Sequence, residues 1–169
     1  MPADNPSTMP VVTLRPVESE DLDEIFQQSR DPVAVRMAAF TPENPDDRSA
    51  FDAHMAKIMY APGITLRGIT RDGRLVGTIS SFPSDGTTEL TYWLARAYWG
   101  QGIASRALSL FLDLVAVRPL KARVASDNVR SLRVLQKAGF ETIGTEVSYA
   151  SGRGSDIEET ILELRGVTS

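Results

Sequence analysis

The stretch Glu89–Leu108, ELTYWLARAYWGQGIASRAL, constrains the fold more than any other part of this chain. Glu89 to Leu94 is rich in aromatic and β-compatible side chains and reads as a strand. Gly100 and Gly102 follow, and Ile103, Ala107, Leu108, Leu110 and Phe111 then recur at helical spacing. Two glycines between a strand and a helix let the backbone approach a ligand with no Cβ in the way. The amides at a helix start have no partner of their own and carry partial positive charge. That combination suits a phosphate, although a βα turn that binds nothing can carry the same glycines.

The remaining elements are arranged around this centre. Met1–Pro10 contains three prolines and few large apolar residues, so it reads as a loose tail, with residues 11–169 as one domain. Val11–Val17 is expected as a first strand. Ser19 is expected to cap a helix with Leu22, Ile25 and Phe26 on its buried stripe, ended by Asp31-Pro32; Val33–Met37 adds a further short turn. Asn44-Pro45 reads as the N-cap and first position of a second helix running to about Met59.

Ile64–Thr70 and Leu75–Ser81 alternate around Asp72-Gly73, a hairpin signal, and Ser84-Asp85-Gly86 turns the chain into the central strand, Thr88–Leu94. After the glycine turn a helix runs from Gly102 to about Ala116, and Lys121–Ala125 returns as a short strand. Asn128–Ala138 is a helix closed by Gly139. Phe140–Tyr149 and Asp156–Arg165 form a last hairpin around Ser151-Gly152-Arg153-Gly154. Three antiparallel strands, one βαβ-like crossover and a closing hairpin give a mixed α/β fold, a mixed sheet flanked by helices. A plain dinucleotide-binding fold fits worse, because strands and helices do not alternate from the start and a full G-x-G-x-x-G is missing.

Composition removes several chemistries. The 169 residues fit one domain, and a net charge of -4 argues against nucleic acid as a partner. With no cysteine there is no disulfide framework, thiolate metal site or acyl-cysteine intermediate, and the single histidine, His54, makes a multi-histidine metal site implausible. No apolar run approaches the ~20 residues that span a bilayer, and the N-terminus lacks a signal pattern, so a cytoplasmic protein without a membrane partner is expected.

Trp99-Gly100-Gln101-Gly102-Ile103-Ala104 resembles the pyrophosphate-binding motif of the GNAT superfamily of acyl-CoA N-acyltransferases, commonly Q/R-x-x-G-x-G/A. Gly102 and Ala104 fill its two small-residue positions, and Trp99 stands where Gln or Arg is commonest. The form WGxGIA is similar to that of the RimJ/RimL-type branch. Asp127-Asn128 through Ser131 to Lys137-Ala138-Gly139-Phe140 likewise resembles that branch's DNxxSxxxxxKxGF signature.

The resemblance runs from about Val12 to Arg165. It implies a mostly antiparallel sheet of about six to seven strands, splayed at its centre and flanked by about four helices. It also implies acetyl-CoA as co-substrate, with no metal, and an amine as acceptor. The acceptor is either a protein N-terminal α-amine or a small-molecule amine such as an antibiotic or polyamine, and the chain is expected to work as a monomer or homodimer.

The same resemblance assigns roles. The turn at Gly100 and the amides of Gln101, Gly102, Ile103, Ala104 and Ser105 hold the pyrophosphate, main-chain groups around Trp93 and Leu94 align the pantetheine arm, and Asn128 bonds the arm near the thioester. Asn128 is equally suited to cap its own helix. Ser131 is the candidate donor to the leaving thiolate, or a helix-start residue.

The acceptor ammonium, with a pKa near ~10, must lose a proton before it attacks. Glu89 is the carboxylate best placed by sequence to take it, with Tyr92 or a backbone-held water as rivals and a salt-bridged strand glutamate as the plainer reading. His54 reads as a partly exposed helix residue. A larger donor such as succinyl-CoA, or a non-catalytic acyl-CoA-binding module, is the alternative function.

Overall fold

The computed structural model describes residues 9–166, so positions 1–8 of the expected N-terminal tail lie outside the described residues. Its strands are β1 (Val12–Arg15), β2 (Thr65–Arg71), β3 (Arg74–Ser84), β4 (Thr87–Leu94), β5 (Leu120–Ala125), β6 (Glu141–Ala150) and β7 (Ser155–Leu164). They form one sheet in the order β1-β2-β3-β4-β5-β7-β6. Every neighbouring pair is antiparallel except β4 with β5. The first two turns follow from their residues: Asp72 (φ 51°) with Gly73 (φ 83°), and Asp85 (φ 49°) with Gly86 (φ 77°), take the left-handed conformations that tight hairpins require.

Among the described residues five α-helices flank the sheet: α1 (Leu22–Ser29), α2 (Pro32–Ala38), α3 (Arg48–Tyr60), α4 (Ile103–Leu114) and α5 (Val129–Lys137). Three of their starts differ from the sequence reading. α1 is preceded by a 3-10 turn, Ser19–Asp21, whose cap is Glu18 in a reciprocal capping box with Asp21, not Ser19. The turn expected after Pro32 is a helix, because Asp31 caps it by accepting from Val33 N (3.0 Å). α3 begins three residues later than Asn44-Pro45 suggests. Asp47 is its cap, accepting from Ala50 N (3.0 Å), while Asn44 spends its side chain on Asp46 N (3.0 Å) in a local turn.

α4 presents Ile103, Ala107, Leu108 and Phe111 to one face of the sheet, where Ile69, Val76, Ile79, Leu90 and Leu162 meet them and Leu135 of α5 joins. Each such fully buried aliphatic or aromatic side chain stabilises the fold by about 1.5–3 kcal/mol. On the opposite face Ile25 of α1 and Met55 of α3 pack on Leu66 and Leu75 of β2 and β3. Beside the closing turn of β6 and β7, Gly152 N–H donates to Ala39 O (2.8 Å) and Arg153 pairs with Asp127 (2.8 Å), fastening the end of α2 to the start of α5.

β3 and β4 approach unusually closely at Gly77, opposite Leu94: a Cβ there would stand 2.1 Å from Trp93 O. The obstacle is backbone, which cannot rotate away. Gly77→Ala is therefore expected to cost about 1–3 kcal/mol, the range for overpacking, read as a lower urea midpoint with unchanged m-value. An unchanged midpoint would mean that the two strands can part there freely.

Candidate active site

β4 keeps β3 as a partner from Thr87↔Ser84 to Leu94↔Gly77, but it pairs with β5 only at Thr88↔Leu120 and Glu89↔Lys121. From Leu90 onward β4 has one edge with no strand beside it. Ala95 N–H donates to Val76 O (2.8 Å), and antiparallel alternation then turns the backbone of Trp93 toward β3 and that of Tyr92 and Leu94 toward the open edge. Leu94 O already accepts from Trp99 Nε1 (2.8 Å). Of the two main-chain positions expected to meet an arm, Leu94 therefore faces the gap with its N–H.

Two cavities meet at this gap. One, of about 380 Å³, lies among the end of β4, the glycine turn, the first turn of α4, α2 and the start of α5. Trp93, Leu94, Gly100, Gly102, Ile103, Ala104, Ser105, Asn128 and Ser131 all line it, whereas Gln101 turns outward and donates to Ala97 O (3.3 Å). The other, of about 360 Å³, opens toward α1 and α3 and is lined by His54 among others. Tyr92, Trp93, Asn128 and Ser131 belong to both walls.

At that common wall the Tyr92 hydroxyl and Ser131 Oγ are 2.8 Å apart. Burial pushes the Tyr92 hydroxyl above the usual phenol range, and its bond to Ser131 offsets part of that. The two hydroxyls thus form a short hydrogen-bonded chain across the common wall. Asn128 caps α5, its Oδ1 accepting from Ser131 N (3.3 Å).

The glycine turn is shaped for an anion. Gly100 (φ 76°) and Gly102 (φ 78°) are left-handed, and a Cβ on either would meet no atom of the protein within 4 Å. Arg106 N makes the first bond of α4, to Gly102 O (3.1 Å), and no side chain caps the helix. The amides of Ile103, Ala104 and Ser105 thus precede the helical ladder at its positive end.

Arg130 and Arg133 line the same cavity, with the Arg130 guanidinium 5.6 Å from the Trp99 ring centroid. The sequence reading omitted both arginines. Their spacing of three on a helix that starts at Asn128 puts them on one face, which is the signal that could have found them.

Glu89 lines neither cavity. Its carboxylate accepts from Arg123 Nε (3.1 Å), and Arg123 Nη1 also reaches Glu146 (2.9 Å) and Glu159 (3.0 Å). One guanidinium thereby straps β4, β5, β6 and β7 together where the pairing of β4 with β5 ends. These bonds, that to Glu159 foremost, hold the Arg123 pKa above its ordinary value. Arg123 itself stands on the wall of the second cavity, as does Thr91, which shares a β4 face with Glu89. Among the described residues no group of three or more His, Asp or Glu is placed to hold a metal ion, and no helix is long and apolar enough to cross a membrane.

Residues 12–141 match the family model described as an acetyltransferase (GNAT) domain. The chain belongs to the GNAT acetyltransferase family. Enzymes of that family use acetyl-CoA as co-substrate. The chain is similar to "Uncharacterized N-acetyltransferase p20" of Bacillus licheniformis, 25% identical over 163 residues that cover 90% of this chain and 92% of that protein.

In fold it is similar to a RimL ribosomal L7/L12 alpha-N-protein acetyltransferase in complex with coenzyme A. That likeness has a TM-score of 0.81 at 16% identity, over 91% of this chain and 93% of the other. It is also similar to Mycobacterium smegmatis RimJ in complex with CoA-disulfide, with a TM-score of 0.74 at 23% identity, over 92% of this chain and 82% of the other. The expected splayed, mostly antiparallel GNAT sheet is thus the sheet observed, with RimL and RimJ among its structural relatives.

The Asn128 cap is open to a direct test. Asn128→Ala should lower stability by about 1 kcal/mol, a fall of about 3 °C in Tm for a domain of this size, whereas Asn128→Asp should keep the cap. Equal melting of Asn128→Ala and the wild type would show that α5 does not depend on it.

Proposed function

We propose that this chain moves the acetyl group of acetyl-CoA to a primary amine by direct attack in a ternary complex. The observation that carries the reading is the common wall of Tyr92, Asn128 and Ser131, set between a cavity that opens on the α4 amides and a second cavity across the gap. The α4 amides with Gly100 and Gly102 take the pyrophosphate, and Arg130 and Arg133 supply the positive charge beside it. The open edge of β4 receives the pantetheine arm as a strand receives a partner, through the N–H of Leu94 and the backbone of Tyr92. Asn128 bonds the arm near the thioester.

The acceptor enters from the second cavity. Its nitrogen attacks the thioester carbonyl, the new N–C bond forms and the C–S bond breaks. The leaving sulfur takes a proton from Ser131 Oγ, which regains one from Tyr92 Oη as Tyr92 takes one in turn from solvent water. The proton lost by the amine passes through a water to Glu89. Glu89 Oε1 accepts from Arg123 Nε, and Glu89 lies off the cavity wall, so a water has to carry that proton. A protein N-terminal α-amine and a small-molecule amine both satisfy this chemistry.

The test is release of free CoA from acetyl-CoA on addition of primary amines. Binding of acetyl-CoA with no release for any amine would reduce the chain to an acyl-CoA-binding module. Ser131→Ala should lower kcat on the order of 10²-fold with near-normal affinity for acetyl-CoA, since it acts on the departing sulfur. Glu89→Gln should show a comparable loss that shrinks as pH rises toward the pKa of the amine, where free amine no longer needs a base. A loss constant across pH would give Glu89 a purely structural place beside Arg123.

A further inference from the structure

We infer that the acceptor taken by the second cavity is a primary amine borne on an uncharged body, and that diamines and polyamines are disfavoured. The inference rests on reading that cavity as the acceptor side. Its wall mixes apolar side chains, among them Phe40, Met55, Ile58 and Leu66, with uncharged polar ones. Among the described residues, no aspartate or glutamate lines it. The two ionisable groups that do, besides Tyr92, are His54 and Arg123, neither of which can neutralise an ammonium.

The nearest carboxylates are already committed. Glu89, Glu146 and Glu159 each turn an oxygen onto the Arg123 guanidinium, and of these four residues only Arg123 lines the cavity. A second ammonium on the acceptor would leave water for a wall with no anion to meet it, a cost that its reacting amine avoids by losing a proton. What the wall does offer is neutral. Thr41, Thr78, Ser80 and Thr91 belong to it. Hydroxyl-bearing residues of this kind suit an amide or hydroxyl on the acceptor.

The full chain, saturated with acetyl-CoA, is given phenethylamine and hexylamine in one series and 1,4-diaminobutane and spermidine in the other. Free CoA is followed and rates are referred to the concentration of unprotonated amine. The monoamines are expected to react with kcat/KM at least about tenfold higher, the scale of an unpaired polar group in a built site. Ile58→Asp, which puts a carboxylate on the wall, should narrow or reverse that ratio, with the thermal shift produced by acetyl-CoA reporting that the variant is folded.

Diamines that match or exceed the monoamines in the wild type would overturn the inference while leaving the acetyltransferase reading intact. An unchanged ratio in a folded Ile58→Asp protein would also overturn it, because the wall would then not set the preference. CoA release with none of the four amines, despite a thermal shift with acetyl-CoA, would remove the acceptor reading itself and the inference with it.

Discussion

The structure depends on how early β4 leaves β5. Two registered pairs, Thr88↔Leu120 and Glu89↔Lys121, hold the halves of the sheet together, and the next residues of β4 have β3 alone. A strand edge left open inside a protein is costly unless its backbone finds partners. Here the opening is stabilised from both sides. α4 and α5 pack the hydrophobic core beneath it, and Arg123 with its three glutamates closes the sheet at the point of parting. The close approach at Gly77 fixes β4 to β3, so that the gap opens on the β5 side only.

That geometry leaves a cavity on either side of the gap. The uncapped start of α4, Arg130 and Arg133 make one side of the gap positive and suited to a phosphate-bearing donor. The other side mixes apolar and hydroxyl-bearing side chains and joins the first through the Tyr92–Ser131 pair, where burial raises the Tyr92 pKa. Arg123 keeps the carboxylates of β4, β6 and β7 occupied beside the second cavity.

Much of this was legible in the sequence where one residue decides a local conformation. The two glycines, the Asp-Gly turns and the order of strands and helices carried over, and so did Asn128 as a cap. Helix starts were less legible, because α1 and α3 each have several oxygen-bearing residues in a row, and only the fold chooses Glu18 over Ser19 and Asp47 over Asn44. Contacts made across long stretches of chain were invisible: nothing local says that Arg123 gathers Glu89, Glu146 and Glu159, or that Tyr92 meets Ser131. Arg130 and Arg133 lay between, detectable from helical spacing once the helix was drawn.

The central claim is that the open edge of β4 and the start of α4 together hold the acyl-CoA. Amide hydrogen exchange with and without acetyl-CoA tests it most directly. Slower exchange is expected at the amides of Tyr92 and Leu94 and of Ile103, Ala104 and Ser105 when acetyl-CoA is added. Protection confined to other elements, with those five amides exchanging as before, would contradict it.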